Sequence, residues 1–267
     1  MKKILFLGYN KNETSLLRFI SNHPKVKLLK HQKKPLKYQD VSSFDLVVCF
    51  GYRYLIENKI LSKFKKPIIN LHISYLPYNK GSHPNVWSFL EKTPSGVTIH
   101  KVSKNIDQGD IIFQKQINFN LHKNKKNLTF KNTHNILIKE IEKLFKNKFD
   151  IILNDKYVLK KQKLKGTFHK KKELPSLLKK WSQNVYKTTM EYNKIKNQSK
   201  KNKLFKKSIK IVDQIQNIRS KNNINWMNIL KLAFKNNPKE AAKIMSNVNH
   251  DDKKISRLVK QLTNINK

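Results

Sequence analysis

Short apolar runs alternate with amphipathic segments over the first half of the chain. Lys2–Gly8 predicts a first strand, and the run at 45–50 is continuous, as expected of a strand that is covered on both faces. Between them, residues 14–21 carry apolar side chains at helical spacing and predict a helix. Further strands are predicted at 26–29, 67–75, 96–102 and 111–119, with helices at 60–64, 85–91 and 134–146. This alternation predicts an α/β fold with a mostly parallel sheet over residues 1–150.

The pattern changes after about residue 150. Residues 151–170 allow a small hairpin and 174–181 a short helix, so we predict a small α+β subdomain at 151–186. Residues 187–207 are rich in Lys and Asn and poor in apolar side chains. That composition predicts a polar linker or a weakly ordered helix.

Residues 208–267 predict a helical C-terminal module. Asn237-Pro238 followed by Glu240 is typical of a helix start, with a capping Asn, a proline at the first helical position and an acid near it. A last helix is predicted after Asp251-Asp252. We interpret the apolar stripes as the core of a small bundle or as a docking surface, which allows a homo-oligomer. They comprise Ile209, Val212, Ile215, Ile218, Trp226, Ile229, Leu230, Ala233, Phe234, Ala241, Ala242, Ile244, Met245, Val248, Ile255, Leu258, Val259 and Leu262.

The chain carries a net charge of +41, with 58 Lys and Arg against 17 Asp and Glu. Such a charge is typical of partners of nucleic acids or anionic membranes. However, Arg, the residue suited to bidentate contacts with phosphates and bases, occurs only at positions 18, 53, 219 and 257. The Lys residues are spread along the whole chain together with Asn and Ile. Compositional drift and selected polyanion binding both remain open, and we expect nucleic acid to bind only non-specifically.

The sequence also limits the compartment and the chemistry. No apolar run approaches the roughly 18 residues needed to cross a bilayer. The N-terminal apolar run is too short for a secretory signal and has no small-residue cleavage site. The single cysteine, Cys49, excludes a disulfide framework or a Cys-based metal site. We therefore expect a soluble cytoplasmic protein without a metal or a membrane partner.

Polar side chains alternate with apolar ones in the predicted strand 67–75. Asn70 and His72 therefore share one face, with Cα atoms about 7 Å apart. There an amide could donate to a developing oxyanion, and an imidazole could donate a hydrogen bond or move a proton near neutral pH. The alternative is a half-exposed strand that happens to show polar residues.

Asp107 is the candidate carboxylate. It precedes Gly109 in a turn at the start of the predicted strand 111–119. Taken alone, Asp107 fits a turn-capping residue as well as a catalytic group.

Several motifs, in this order and spacing, resemble the formyltransferases that use 10-formyltetrahydrofolate as co-substrate. They are Asn70-Leu71-His72-Ile73-Ser74, Leu76-Pro77, Gly81, Pro84, Gly96-Val97-Thr98-Ile99-His100 and Asp107-Gln108-Gly109-Asp110-Ile111-Ile112. The resemblance covers roughly residues 1–150. It implies a Rossmann-like catalytic domain with its site at the carboxyl ends of the strands.

The resemblance also implies roles for individual residues. Asn70 and His72 would stabilise the tetrahedral oxyanion, while Asp107 assists proton transfer and positions His72. Folate contacts would come from Tyr52, Arg53, Tyr54, Leu55, Lys104 and Asn105, although Tyr52 and Tyr54 fit a core role as well. Tyr78, Gly81 and Ser74 are candidate substrate contacts, but we interpret Ser74, like His100, first as a structural residue.

Departures from the family's patterns bear on the acceptor amine. The turn after the first strand contains a single glycine, Gly8, unlike the glycine-rich phosphate loop of the glycinamide ribonucleotide enzymes. Residues 208–267 predict helices, whereas methionyl-tRNA formyltransferases carry a C-terminal β-barrel. The segments 75–87 and 166–169 look nearest to sugar N-formyltransferases, which implies a nucleotide-linked amino sugar as acceptor. A tRNA-modifying enzyme or another nucleic-acid-binding protein is the alternative, and an inactive scaffold is not favoured because all three catalytic residue types are present.

Overall fold

The computed structural model describes residues 1–119, 127–222, 232 and 235–265. These residues form two compact units, Met1–Tyr192 and Asn193–Lys267. The apolar stripe predicted at Trp226, Ile229, Leu230, Ala233 and Phe234 lies outside the described residues.

A six-stranded sheet forms the centre of the first unit, in the order β2–β1–β3–β4–β6–β7. Its first four strands are parallel, whereas β6 is antiparallel to β4 and β7 is antiparallel to β6. The predicted mostly parallel sheet is therefore confirmed. The strands are β1 Lys2–Gly8, β2 Val26–Gln32, β3 Leu46–Phe50, β4 Ile68–His72, β6 Gly96–Lys101 and β7 Ile111–Gln116. A separate two-stranded sheet joins β5 Lys80–Gly81 to β8 Phe168–His169.

The sheet separates two apolar clusters, and alternate residues of β1, β3 and β4 contribute to one or the other. In β4, Ile69 and Leu71 belong to the larger cluster, while Ile68 belongs to the smaller one. Asn70 and His72 continue the face of Ile68 beyond the end of the smaller cluster. The polar pair thus lies where apolar packing ends on that face.

Helices cover the sheet of the first unit. They are α1 Leu16–Ser21, α2 Tyr38–Val41, α3 Asn58–Lys63, α4 Pro84–Leu90 and α5 Phe130–Leu153. The longest, α5, starts earlier than the pattern predicted because the Thr129 hydroxyl accepts a hydrogen bond from the Asn132 amide at 3.1 Å and caps its first turn. It buries Leu137, Ile141, Phe145 and Phe149, spaced four residues apart, against the larger cluster.

Residues 151–186 do not form the predicted hairpin or the helix at 174–181. Instead β8 pairs in parallel with β5, which lies far away in the chain, and a short 3₁₀ helix covers Lys171–Glu173. Local patterning could not show this pairing because the partner strand has only two residues. These residues lie in the first compact unit, and the predicted subdomain bounds, 1–150 and 151–186, stay a prediction.

Helices make up the described part of the later chain. α6 covers Val185–Asn222, so the predicted linker at 187–207 is helical. α7 covers Pro238–Ile265, and the Asn237 side chain accepts from the Glu240 amide at 3.3 Å, as the capping motif predicted. The separate helix predicted after Asp252 is part of α7. No helix in the described parts of the chain is long and apolar enough to cross a membrane.

A chain ending at residue 195 should fold, because the first compact unit ends at Tyr192 and contains both apolar clusters. Circular dichroism and urea unfolding should show helix and strand signals and one cooperative transition. Insoluble protein, or a transition without cooperativity, would show that the first unit depends on residues beyond 195.

Candidate active site

The site is built around the end of β4. In the pairing of β4 with β6, Asn70 stands opposite His100 and His72 stands opposite Thr98. The four side chains share one face of the two strands, and the side chains of His72, Thr98 and His100 are buried. Two histidines and an amide therefore meet at one position on the sheet.

Asp107 reaches this position from the loop between β6 and β7. Its backbone is left-handed, with φ at 53°, a conformation that Asp and Asn tolerate better than most residues. The Gln162 amide donates to the carbonyls of Asp107 at 2.9 Å and Gly109 at 2.8 Å. Gln162 thus holds the turn that places the carboxylate.

The Asp107 carboxylate is the centre of a polar network. Its Oδ2 accepts from the Gly81 backbone amide at 2.8 Å and lies 3.7 Å from His72 Nε2. Its Oδ1 accepts from Asn70 Nδ2 at 3.2 Å and lies 3.5 Å from His100 Nε2. Each oxygen therefore has one neutral donor and one nearby imidazole.

Backbone carbonyls determine which ring nitrogens carry hydrogen. His72 Nε2 lies 3.2 Å from the Asn79 carbonyl oxygen, and His100 Nδ1 lies 2.8 Å from the Lys101 carbonyl oxygen. A carbonyl only accepts, so each of these nitrogens carries the hydrogen in the neutral ring. His100 Nε2 is then free to accept from Asn70 Nδ2 at 3.2 Å, and His72 Nδ1 is left as a proton acceptor.

Burial and charge act in opposite directions on the two titratable groups. Burial favours the neutral acid at Asp107, but His72, His100 and the Gly81 amide outweigh it, so the pKa of Asp107 lies well below its usual range. Burial lowers the pKa of His72, and the charge of Asp107 only partly offsets this effect. At neutral pH the site therefore holds a carboxylate beside a neutral imidazole, which can accept a proton and be stabilised as the cation.

The structure brings together Asn70, His72 and Asp107, the three predicted catalytic residues. The proposed folate contacts lie on two other segments. Tyr52, Arg53, Tyr54 and Leu55 follow β3, while Lys104 and Asn105 lie in the loop after β6.

Tyr52 has a mixed environment. Its ring packs against the smaller cluster and lies 5.6 Å from the Tyr54 ring, its hydroxyl donates to the Lys34 carbonyl at 3.0 Å, and burial raises its pKa to about 12. Tyr54 and Leu55 are exposed, as are Arg53, Lys104 and Asn105. Their role in folate binding stays a prediction.

The candidate substrate residues differ in their surroundings. Gly81 contributes its backbone amide to Asp107. Ser74 is buried, and its hydroxyl has no hydrogen-bond partner among the residues that the structure describes. Tyr78 is half-buried in the loop before β5. Contact of any of the three with a substrate stays a prediction.

The sequence pattern did not assign several residues that support the site. Asn79 and Gln162 were not singled out, and His100, interpreted first as structural, contacts Asn70 directly. The alternation of Thr98 and His100 in the predicted strand was a usable signal for His100, because it matches that of Asn70 and His72. No local pattern marks Asn79 or Gln162, since each acts through a neighbour distant in sequence.

Other binding features lie away from this network. Within the described ranges, no group of three or more His, Cys, Asp or Glu side chains could hold a metal ion. A cavity of about 470 Å³ adjoins Pro67 and Ile68 at the opposite end of β4 and has Lys65, Lys66 and Lys101 in its walls. The buried Cys49 thiol is a poor nucleophile, because burial raises its pKa to about 12.

Comparison with known proteins identifies the family. The family model described as formyl transferase matches residues 11–139. The solved structure of the formyltransferase PseJ from Anoxybacillus kamchatkensis is 35% identical, and the alignment covers 70% of this chain and 97% of that one with a TM-score of 0.62. The chain belongs to the formyl transferase family.

Other members of the formyl transferase family match over shorter stretches. Methionyl-tRNA formyltransferase of Prochlorococcus marinus is 36% identical over 125 residues, which are 45% of this chain and 37% of that protein. GDP-perosamine N-formyltransferase of Brucella melitensis is 32% identical over 74 residues, or 27% of this chain and 29% of that protein. The chain thus spans about a third of the length of these curated relatives. The PseJ structure contains UDP-4,6-dideoxy-4-formamido-L-AltNAc and tetrahydrofolate.

Replacing His72 by Gln should flatten the pH dependence of the free energy of unfolding between about pH 7 and 5. The pKa of His72 is lower in the folded protein than in the unfolded chain, so unfolding takes up a proton and the wild type loses stability as pH falls through the unfolded pKa of about 6.5. Gln cannot titrate. Urea unfolding at several pH values measures the slope.

Ser74→Ala is the control, because it changes a buried residue of the same region without removing a titratable group. It should keep the wild-type slope. Equal slopes for wild type and His72→Gln would contradict a neutral buried imidazole.

Proposed function

We propose that this protein transfers a formyl group from 10-formyltetrahydrofolate to the primary amine of a nucleotide-linked amino sugar. The contact network of Asn70, His72 and Asp107 carries the proposal, because it joins an amide donor, a neutral imidazole and a carboxylate. The similarity to PseJ supports it, since that structure contains a formamido sugar nucleotide and tetrahydrofolate.

His72 would act as the proton acceptor. An amine that attacks a formyl carbon must lose a proton, and a neutral imidazole can take it near neutral pH. Because Nε2 donates to the Asn79 carbonyl, the proton would go to Nδ1. The resulting imidazolium would be stabilised by the Asp107 carboxylate, 3.7 Å from Nε2. When the oxyanion collapses, the bond between the formyl carbon and N10 of the folate would break, and the imidazolium would return the proton to that nitrogen, which releases tetrahydrofolate.

Asn70 would stabilise the oxyanion. Its Nδ2 carries two hydrogens, which in this structure face Asp107 Oδ1 and His100 Nε2. A developing oxyanion would take one of them in place of the carboxylate, and a neutral donor held in a fixed position is suited to this task. His100 would keep the amide oriented, because its ring is itself held by the Lys101 carbonyl.

Folate would supply the formyl group. The segment after β3 fits a flat aromatic group because it presents an exposed tyrosine and leucine, Tyr54 at 48% and Leu55 at 72% exposure. Ile106 is also exposed, on the loop that carries Lys104 and Asn105. Apolar side chains in open positions beside a polar site are typical of a ligand surface.

Methionyl-tRNA is the alternative acceptor. The 36% identity to the Prochlorococcus marinus enzyme and the net charge of +41 favour it. The helices α6 and α7, in place of a β-barrel, favour the sugar nucleotide.

Alanine at Asn70, His72 or Asp107 should each lower turnover by at least about 100-fold, the scale of a lost oxyanion donor or general base. Release of tetrahydrofolate in the presence of an accepted amine measures turnover, and circular dichroism checks folding. Lys25→Ala, which removes an exposed ion pair with Asp150, is the control and should keep wild-type turnover. Near-normal turnover of a folded His72→Ala protein would place the active site elsewhere.

A nucleotide-linked sugar with a free amine should be formylated, and methionyl-tRNA should not. Binding alone does not distinguish them, because a protein of charge +41 binds polyanions at low salt through counterion release. Formyl transfer near physiological salt, with each acceptor offered separately, is the deciding measurement. Transfer to the tRNA and to no sugar nucleotide would reverse the assignment.

A further inference from the structure

Two backbone groups of one short stretch hold the active-site side chains. The Asn79 carbonyl accepts from His72, and the Gly81 amide donates to Asp107. Both groups lie in the loop between β4 and α4, which contains the short strand β5. Any contact that fixes the position of this loop therefore also fixes the positions of His72 and Asp107.

The loop is held by the 166–169 segment, which consists of Gly166, Thr167, Phe168 and His169. The Thr167 hydroxyl accepts from the Asn79 amide at 2.8 Å and donates to Asn79 Oδ1 at 3.2 Å. The Lys80 amide donates to the Thr167 carbonyl at 3.0 Å, and the Ser82 amide donates to the His169 carbonyl at 2.9 Å. These four hydrogen bonds therefore attach the loop to the segment on both sides of the Asn79 carbonyl and the Gly81 amide.

The backbones of the loop and of the 166–169 segment pack so closely that neither can shift far relative to the other. Gly166 has φ at +64°, and a Cβ there would overlap the Pro77 carbonyl. Gly81 has φ at +83°, and a Cβ there would overlap the His169 carbonyl. Side chains at these positions would separate the two stretches, so glycine is required at both.

His169 anchors the segment to α4. Its ring stacks on Trp87 with centroids 3.9 Å apart and planes 8° apart. Its Nε2 lies 3.2 Å from the Glu91 carboxylate, and the residue is only 7% exposed. The segment is therefore attached on one side to a core helix and on the other to the loop.

We propose that the 166–169 segment is a positioning element of the active site. Thr167 places the Asn79 carbonyl that keeps the hydrogen of His72 on Nε2, and the pairing of β8 with β5 places the Gly81 amide that orients Asp107. The catalytic consequence rests on the proposed function, whereas the effect on the His72 ring does not. The segment lies beyond residues 11–139, the range that the family model matches.

Thr167→Val tests the proposal in the full-length protein, because it removes the hydroxyl and keeps the side-chain shape. Nitrogen NMR of ¹⁵N-histidine-labelled protein reports the His72 tautomer, with the signal assigned by its loss in His72→Gln. We expect the Nε2–H form in wild type and a mixture of tautomers in Thr167→Val. In formyl transfer, kcat should fall about 10-fold with a smaller change in KM, since misplacement affects the reacting groups more than binding.

Two variants are matched controls. Thr167→Ser keeps the hydroxyl and should retain the wild-type tautomer and kcat. Thr133→Val removes a buried hydroxyl from α5, where it bonds to helix carbonyls, and should change stability without changing the tautomer.

An unchanged tautomer in Thr167→Val, or an equal change in Thr133→Val, would overturn the proposal. A changed tautomer with unchanged kcat would overturn its catalytic part. If no acceptor is formylated but the tautomer changes in Thr167→Val, the proposed function fails and the positioning of His72 stands.

Discussion

The nearly buried carboxylate of Asp107, whose side chain is 10% exposed, is the constraint on which the site depends. A charged group that is withdrawn from water must be compensated by donors and opposite charge, or it becomes neutral. Here the compensation comes from the Gly81 amide and the Asn70 side chain, with the Nε2–H of His72 3.7 Å away. The two donors come from β5 and β4, so the charge depends on both strands being in place.

The reversal of strand direction at β6 makes this arrangement possible. Parallel strands β1, β3 and β4 bring their carboxyl ends to one edge of the sheet, where ligands bind in open α/β folds. The antiparallel β6 then places His100 directly opposite Asn70, and its following loop returns Asp107 to the same edge. One strand reversal thereby joins a donor amide, two imidazoles and a carboxylate.

Later parts of the chain support the candidate site through hydrogen bonds. Gln162 holds the left-handed turn at Asp107, and Thr167 and His169 hold the loop that carries Asn79 and Gly81. All three lie beyond the range that the family model matches, residues 11–139. The tautomer of His72 and the position of the Asp107 carboxylate therefore depend on residues outside that range.

The sequence by itself determined the α/β class, the face shared by Asn70 and His72, and the start of α7 at Pro238. Each of these follows from the spacing of residues close together in the sequence, because side-chain periodicity and helix capping depend only on that spacing. Only the tertiary structure decided the contact of His100 with Asn70, the support from Gln162, and the pairing of β8 with β5. Register between strands and hydrogen bonds across 88 residues, as from Asn79 to Thr167, leave no trace in a local pattern. These long-range hydrogen bonds form because a buried polar group needs a hydrogen-bond partner, and the partner can come from any segment that packs beside it.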